Sequence, residues 1–191
     1  MSDGRWLIAG LGNPGDEYAG NRHNAGFMVA DLLADRLGGG FKATKFRALA
    51  ASGTLAGTPV IIAKPLTYMN DSGIAVGRLG QYHKVPPARV VAIHDELDIP
   101  FGALRLKLGG GDNGHNGLRS LTSHLGTRDY YRVRIGIGRP PGRMDAASFV
   151  LRDFSASERK ELPATVDTAA DAVETLLVNG LEAAQNKFHA L

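Results

Sequence analysis

The 191-residue chain contains no cysteine. Disulfides, thiolate metal sites and cysteine nucleophiles are therefore excluded, and a reducing compartment is permitted. Long apolar runs are missing too. Nothing approaches the roughly 20 residues a membrane-spanning helix needs, and Met1-Ser2-Asp3-Gly4-Arg5 lacks the pattern of a secretion signal. The expected location is cytoplasmic, with no membrane association. Charge imbalance is slight: 22 Lys+Arg against 19 Asp+Glu leave a net charge of +3, a weak pointer to a polyanionic partner. Repeats, low-complexity tracts and linkers are absent, so residues 1–191 read as one domain.

What is present is 43% hydrophobic residues and 25 glycines, the composition of a globular protein rich in turns. Strand-like runs occur at Trp6–Leu11, Ala48–Leu55, Pro59–Lys64, Val90–His94, Ala103–Lys107 and Arg132–Gly138. The first, third and fourth are nearly continuous in apolar residues, as expected of strands covered on both faces. Ala103–Lys107 and Arg132–Gly138 alternate, which suggests one exposed face or an edge position. Helical spacing links Phe27, Ala30, Leu33, Ala34 and Leu37, ending at Gly38-Gly39-Gly40. Further helices are predicted over Ile74–His83 and Gly117–Leu125. A fourth starts at Ser155, with Glu158 completing a capping box, and runs to Asn179-Gly180; Pro163 should kink it or break it in two. This alternation predicts a three-layer αβα domain with a mixed, mostly parallel sheet.

In such sheets ligands bind at the carboxyl ends of strands. Asn13, the Lys64–Asn70 segment and His94-Asp95 all follow strand-like runs, so their loops can share one rim. Gly10-Leu11-Gly12-Asn13-Pro14-Gly15 matches the dinucleotide-binding pattern literally. That fingerprint must open directly into a helix and needs an acid at the end of a second strand; here Pro14 interrupts and Asp31 and Asp35 fall in the helix. A nucleotide-cofactor enzyme is accordingly disfavoured.

The loop continues to His23. Alone, a histidine at a helix start is more often structural than catalytic. The acidic stretch His94-Asp95-Glu96-Leu97-Asp98 supplies what it would need: a carboxylate that accepts one ring N–H, fixes the tautomer and raises the basicity of the other nitrogen. The same acids could hold Mg²⁺ or Ca²⁺, but no second carboxylate cluster completes such a shell, and a metal-free site is the better reading. Asn13, Asn70 and Asn116 come from three separate loops, and amides suit a peptide backbone or a developing oxyanion. No serine sits in a nucleophile elbow. The chemistry left is histidine-activated water attacking an ester or amide.

The ordered blocks GLGNPG, RHNAG, KPLTYMN, HDELD, GGGDNGHNG and RIGIGRP resemble those of bacterial-type peptidyl-tRNA hydrolases, from Trp6 to about Phe188. The resemblance implies cleavage of the ester between a nascent peptide and the 3′-terminal ribose of tRNA, in recycling tRNA from stalled translation; the chain is expected to act as a monomer without metal or cofactor. It implies that His23 is the base and Asp95 its supporting acid. Asn13 would distinguish N-blocked from free aminoacyl groups. Tyr18, Tyr68, Asn70 and Asn116 would contact the peptidyl and 3′-terminal portions, Met69 would line the groove, and Arg105 and Arg134, with Lys107 beside them, would hold the tRNA 5′-phosphate. They belong to a basic cluster that also includes Arg119, Arg128, Arg132, Arg139 and Arg143.

Departures from the family pattern are Asn113, where glycine is usual, Arg105, often lysine, and Tyr68, often phenylalanine. For His115, shaping the substrate loop is the lesser of its readings. His94 is expected to point away from Asp95's side of its strand, and His83, His124 and His189 to serve packing or surface. The rival from another class is an RNA-binding protein on the same scaffold that has lost catalysis; it should have lost members of the His-Asp-Asn set, which this chain retains.

Overall fold

Successive side chains of a strand point to opposite faces, so an apolar strand must be covered twice. A computed structural model of the chain describes residues 4–189, so Met1-Ser2-Asp3 of the N-terminal segment read above lie outside it. Its elements are β1 (Trp6–Gly10), α1 (Ala25–Leu37), β2 (Lys42–Ala43), β3 (Ala48–Leu55), β4 (Thr58–Pro65), α2 (Ser72–Tyr82) and β5 (Val90–Glu96), followed by β6 (Leu104–Leu108), α3 (Asn116–Leu125), β7 (Tyr131–Gly136), α4 (Ala146–Val150), α5 (Ala156–Asn179) and α6 (Leu181–Phe188). Ile8 of β1 joins one core with Val29, Leu33 and Val173 of α1 and α5. Leu7 and Ala9 join a second core with Val76 and Leu79 of α2 and Leu118 and Leu121 of α3. This is the three-layer αβα arrangement.

The seven-stranded sheet runs β2-β3-β4-β1-β5-β7-β6. Its centre, β4-β1-β5-β7, is parallel, and antiparallel pairs close both edges. The carboxyl ends of the four central strands therefore meet along one rim. No helix among the described residues is long and apolar enough to cross a membrane.

Two expectations need correcting. β5 does not end at His94: Asp95 and Glu96 stay in the strand, because β7 pairs beside them through Asp95↔Ile135 and Glu96↔Gly136. All seven β5 residues are buried, so Asp95 is a strand carboxylate rather than a loop one. α5 is one unbroken helix through Pro163, capped by the Ser155/Glu158 box. Pro163 is exposed, on the side where a carbonyl deprived of its N–H partner meets solvent. The short elements β2, α4 and α6 carry too few residues for periodicity to reveal them.

The glycines of the first loop serve packing. A Cβ on Gly10 would lie 2.3 Å from the Gly26 carbonyl oxygen, and one on Gly26 would lie 2.2 Å from that of Ile93. The start of α1 thus sits directly on the ends of β1 and β5. Close approach, rather than a phosphate cradle, accounts for these two glycines.

Candidate active site

Each rim loop delivers its side chains by a short helical turn. After β1, 3-10 turns at Asp16–Tyr18 and Arg22–Asn24 carry Tyr18 and His23 to the start of α1. After β4, a 3-10 turn at Met69–Asp71 presents Tyr68, Met69 and Asn70. His115 and Asn116 open α3.

Asp95 receives histidines from two directions. The Nδ1 atom of His23 lies 2.9 Å from one Asp95 oxygen and 3.0 Å from the other. His115 Nε2 lies 2.9 Å from Oδ1. A carboxylate accepts only, so both nitrogens carry the proton. The remaining nitrogens then have opposite fates. His115 Nδ1 accepts the backbone N–H groups of Gly117 and Leu118, capping α3 with an imidazole. His23 Nε2 has no partner among the described residues, and His23 lines a cavity shared with Asn13, Asn70 and Asn116. Burial pushes the His23 imidazolium down, but the charge and hydrogen bond of Asp95 outweigh it, and its pKa is raised above 6.5. Burial alone would raise Asp95; the two histidines hold it well below the ordinary carboxylate range. The three side chains offer ligand atoms within 4.8 Å of one another, the spacing of a metal cluster. The two N–H to carboxylate bonds already account for that approach, and no ion is needed to explain it.

His94 is fully buried, on the α3 side of β5. Its Nδ1 donates to the Asp95 carbonyl at 2.7 Å, and its ring packs edge-on against His115 with 4.9 Å between centroids. Burial holds it neutral, well below its usual pKa.

Asn13 is fixed by a partner the sequence did not suggest. Asn24 accepts the Asn13 N–H and donates to the Asn13 carbonyl, both at 2.9 Å. The Asn13 side-chain oxygen accepts the Met69 N–H at 2.7 Å. Its Nδ2 is left without a partner among the described residues, and the residue lines the cavity. The only signal for Asn24 was its place beside His23.

The cavity, about 490 Å³, gathers Asn13, His23, Tyr68, Met69, Asn70, Asp95, His115 and Asn116. Tyr18 stands just outside, edge-on to Tyr68 with 6.5 Å between centroids. An apolar wall of Ala146, Ala147, Val150 and Leu151 from α4 and its end was not foreseen. The α4 segment is zipped to the loop that carries His23. Arg22 donates its N–H to the Arg152 carbonyl, stacks on Phe149 at 4.0 Å and pairs with Glu158 at 3.0 Å; Asn21 bonds Asp153 at 2.8 Å.

Arg105, Lys107 and Arg134 are not in the cavity. Register places Arg105 opposite Arg134 and Lys107 opposite Arg132, with Arg134 opposite His94, so all share one face of the β6–β7 edge. Arg132 is no solvated surface residue: 1% exposed, it donates to the carbonyls of Gly110, Gly111 and Arg128 and so shapes the glycine loop. Burial, then the guanidiniums of Arg134 and Arg132, hold Lys107 below its ordinary pKa. Of the outlying histidines, His124 bonds the Ser120 carbonyl, His83 meets Arg5, and His189 accepts the Leu106 N–H of the edge strand.

Known proteins carry the same architecture. A solved structure of peptidyl-tRNA hydrolase from Acinetobacter baumannii superposes with a TM-score of 0.91 at 39% identity, covering 100% of this chain and 96% of that one. The chain is 63% identical over 189 residues to the peptidyl-tRNA hydrolase of Frankia alni, covering 99% of this chain and 96% of its relative. It is 60% identical over 185 residues to that of Mycolicibacterium smegmatis, with 96% and 97% covered. The family model described as peptidyl-tRNA hydrolase matches residues 7–191. With a match of that length and relatives this similar, the chain belongs to the peptidyl-tRNA hydrolase family.

Proposed function

We propose that the chain hydrolyses the ester between peptide and 3′-terminal ribose in peptidyl-tRNA, using water activated by His23. The observation that carries this is the His23 ring, tied to Asp95 through Nδ1 with Nε2 open to the cavity. Nε2 takes a proton from water as the water oxygen bonds to the acyl carbon. The ribose oxygen then leaves and regains a proton, yielding free tRNA and an N-blocked peptide acid. Asp95 orients the ring and stabilises the imidazolium that forms. No side-chain nucleophile is required, so no covalent intermediate forms. The amides of Asn70 and Asn116, exposed at the cavity, are the donors available to the carbonyl oxygen as charge develops on it.

Asn13 supports selectivity for blocked substrates. With its oxygen bound to Met69, it has only N–H groups to offer. A peptide presents a carbonyl acceptor where a free aminoacyl group presents an ammonium. Tyr18, Tyr68 and Met69 form the adjoining wall. Arg105, Lys107 and Arg134 crowd like charges on one strand face, and a tRNA phosphate relieves that repulsion. The protein is read as a cytoplasmic monomer that needs no metal or cofactor.

The test is release of N-acetylaminoacyl groups from tRNA, with unblocked aminoacyl-tRNA as control. Cleavage of the blocked substrate alone is expected; equal cleavage of both would remove the role given to Asn13. His23→Ala should lower kcat by about 10²–10⁴-fold while tRNA affinity holds. Full turnover in that variant would sink the mechanism.

A further inference from the structure

Asn113 has a backbone φ of 49°, in the left-handed region, and Gly114 follows at 77°. Asparagine tolerates that region better than most residues, so backbone geometry explains why asparagine is allowed at 113. It does not explain where the side chain goes. Its Nδ2 donates to Glu96 Oε2 at 2.7 Å and to Asp98 Oδ2 at 2.6 Å. Asp98 Oδ1 in turn accepts from Arg139 Nε at 2.8 Å. One amide thus bridges two carboxylates that would otherwise repel, and the chain of bonds continues into the segment leading to α4.

The bridge lies beside the site. Glu96 follows Asp95 on β5, and Asn113 precedes His115 by two residues, so Asn113 to Glu96 runs alongside His115 to Asp95. Glu96 and Leu97 form one part of the cavity lining, and Asn113, Gly114, His115 and Asn116 form the next. The cavity of about 490 Å³ coexists with this bridge. A loop with left-handed Gly109, Gly110 and Gly114 has much conformational freedom to lose on binding.

We infer that Asn113 is a positioning residue: its amide latches the 109–116 loop to the end of β5 and to Asp98, holding Asn116 where substrate needs it before substrate arrives. This rests on the hydrolase reading for its consequence, not for its geometry. Asn113→Gly keeps the backbone accessible and removes the latch. Asn113→Asp keeps the shape and sets a third carboxylate against two.

The experiment has two arms on the full chain. Hydrogen exchange of the unliganded protein should speed up more than twofold across 109–116 in both variants, most in Asn113→Asp, while α5 stays unchanged. With N-acetylaminoacyl-tRNA, KM should rise at least threefold in Asn113→Gly and kcat should change less than twofold. Exchange within twofold of the parent in both variants overturns the latch. Faster exchange with KM rising less than threefold, or with the loss falling mainly on kcat, overturns the positioning role. Should Asn113→Asp fail to fold, Asp98→Ala replaces it and must reproduce the exchange result of Asn113→Gly. An inactive parent protein would defeat the hydrolase reading and leave the exchange arm to decide the latch.

Discussion

His23 reaches Asp95 from the α1 side of the sheet and His115 from the α3 side, at nearly the same distance. Behind those matched bonds the two sides differ. The α1 side is built from buried, multiply tied residues: Arg22 on Phe149 and Glu158, Asn21 on Asp153, Asn24 on both faces of the Asn13 backbone. The α3 side is a glycine loop held by a few polar latches, with His115 serving as a helix cap. A ring nitrogen spent on capping cannot accept a proton from water. On the proposed mechanism the fixed side supplies the base, and the adaptable side supplies groups that meet substrate.

The strongest break in this comparison is Asp95→Asn, which removes the partner both sides share. It should lower kcat/KM by about 10²–10⁴-fold. The pH profile gives the sign. His23 has a raised pKa, so on the proposed mechanism it is protonated and idle until pH climbs past that value, and the acid limb of the parent should lie above 6.5. In Asp95→Asn the cause that raises it is gone while burial remains, so the limb should move to lower pH. A limb that stayed put would separate Asp95 from the basicity of His23. By linkage, the raised His23 stabilises the fold below its unfolded value of 6.5, and that contribution fades as pH rises through the folded value.

The next effect falls on stability and on one side only. Arg22→Met leaves Glu158 without its buried partner, a loss at the lower end of about 3–5 kcal/mol because Glu158 keeps the Ser155 N–H. At about 2–4 °C per kcal/mol for a chain of this size, the melting temperature should drop by several degrees. An unchanged melting temperature would mean the α1 side is not the rigid one.

Much of this was legible beforehand, for identifiable reasons. The apolar run Val90–Ile93 announced a buried strand, and histidine, aspartate and three asparagines at loop positions announced polar work at one rim. What stayed hidden depends on distant pairing. Asp95 belongs to β5 only because β7 extends beside it. Arg132 reads in the sequence only as one member of a basic cluster, yet it is buried, since its partners are carbonyls of a loop about twenty residues away in sequence. Asn24 and Glu96 carry no pattern of their own; each matters through one contact. His115 as an N-cap was illegible because Ser, Thr, Asp and Asn are the residues that signal a cap.

That cap also yields the finest test of the two sides. His115→Ala loses both the cap and the N–H to Asp95. His115→Asn restores a good cap and still loses the bond to Asp95. The alanine variant should be less stable by about 1 kcal/mol, and the asparagine variant close to the parent in melting temperature. Both should shift catalysis alike, because both release Asp95 from a competing donor. With one N–H fewer to satisfy, the Asp95 carboxylate binds the His23 imidazolium more strongly, so the acid limb of kcat/KM should move upward, opposite to Asp95→Asn. If the limb moves downward, or moves only in the alanine variant, His115 acts through the helix it caps and not through Asp95, and the two sides of the pocket are not coupled at the carboxylate.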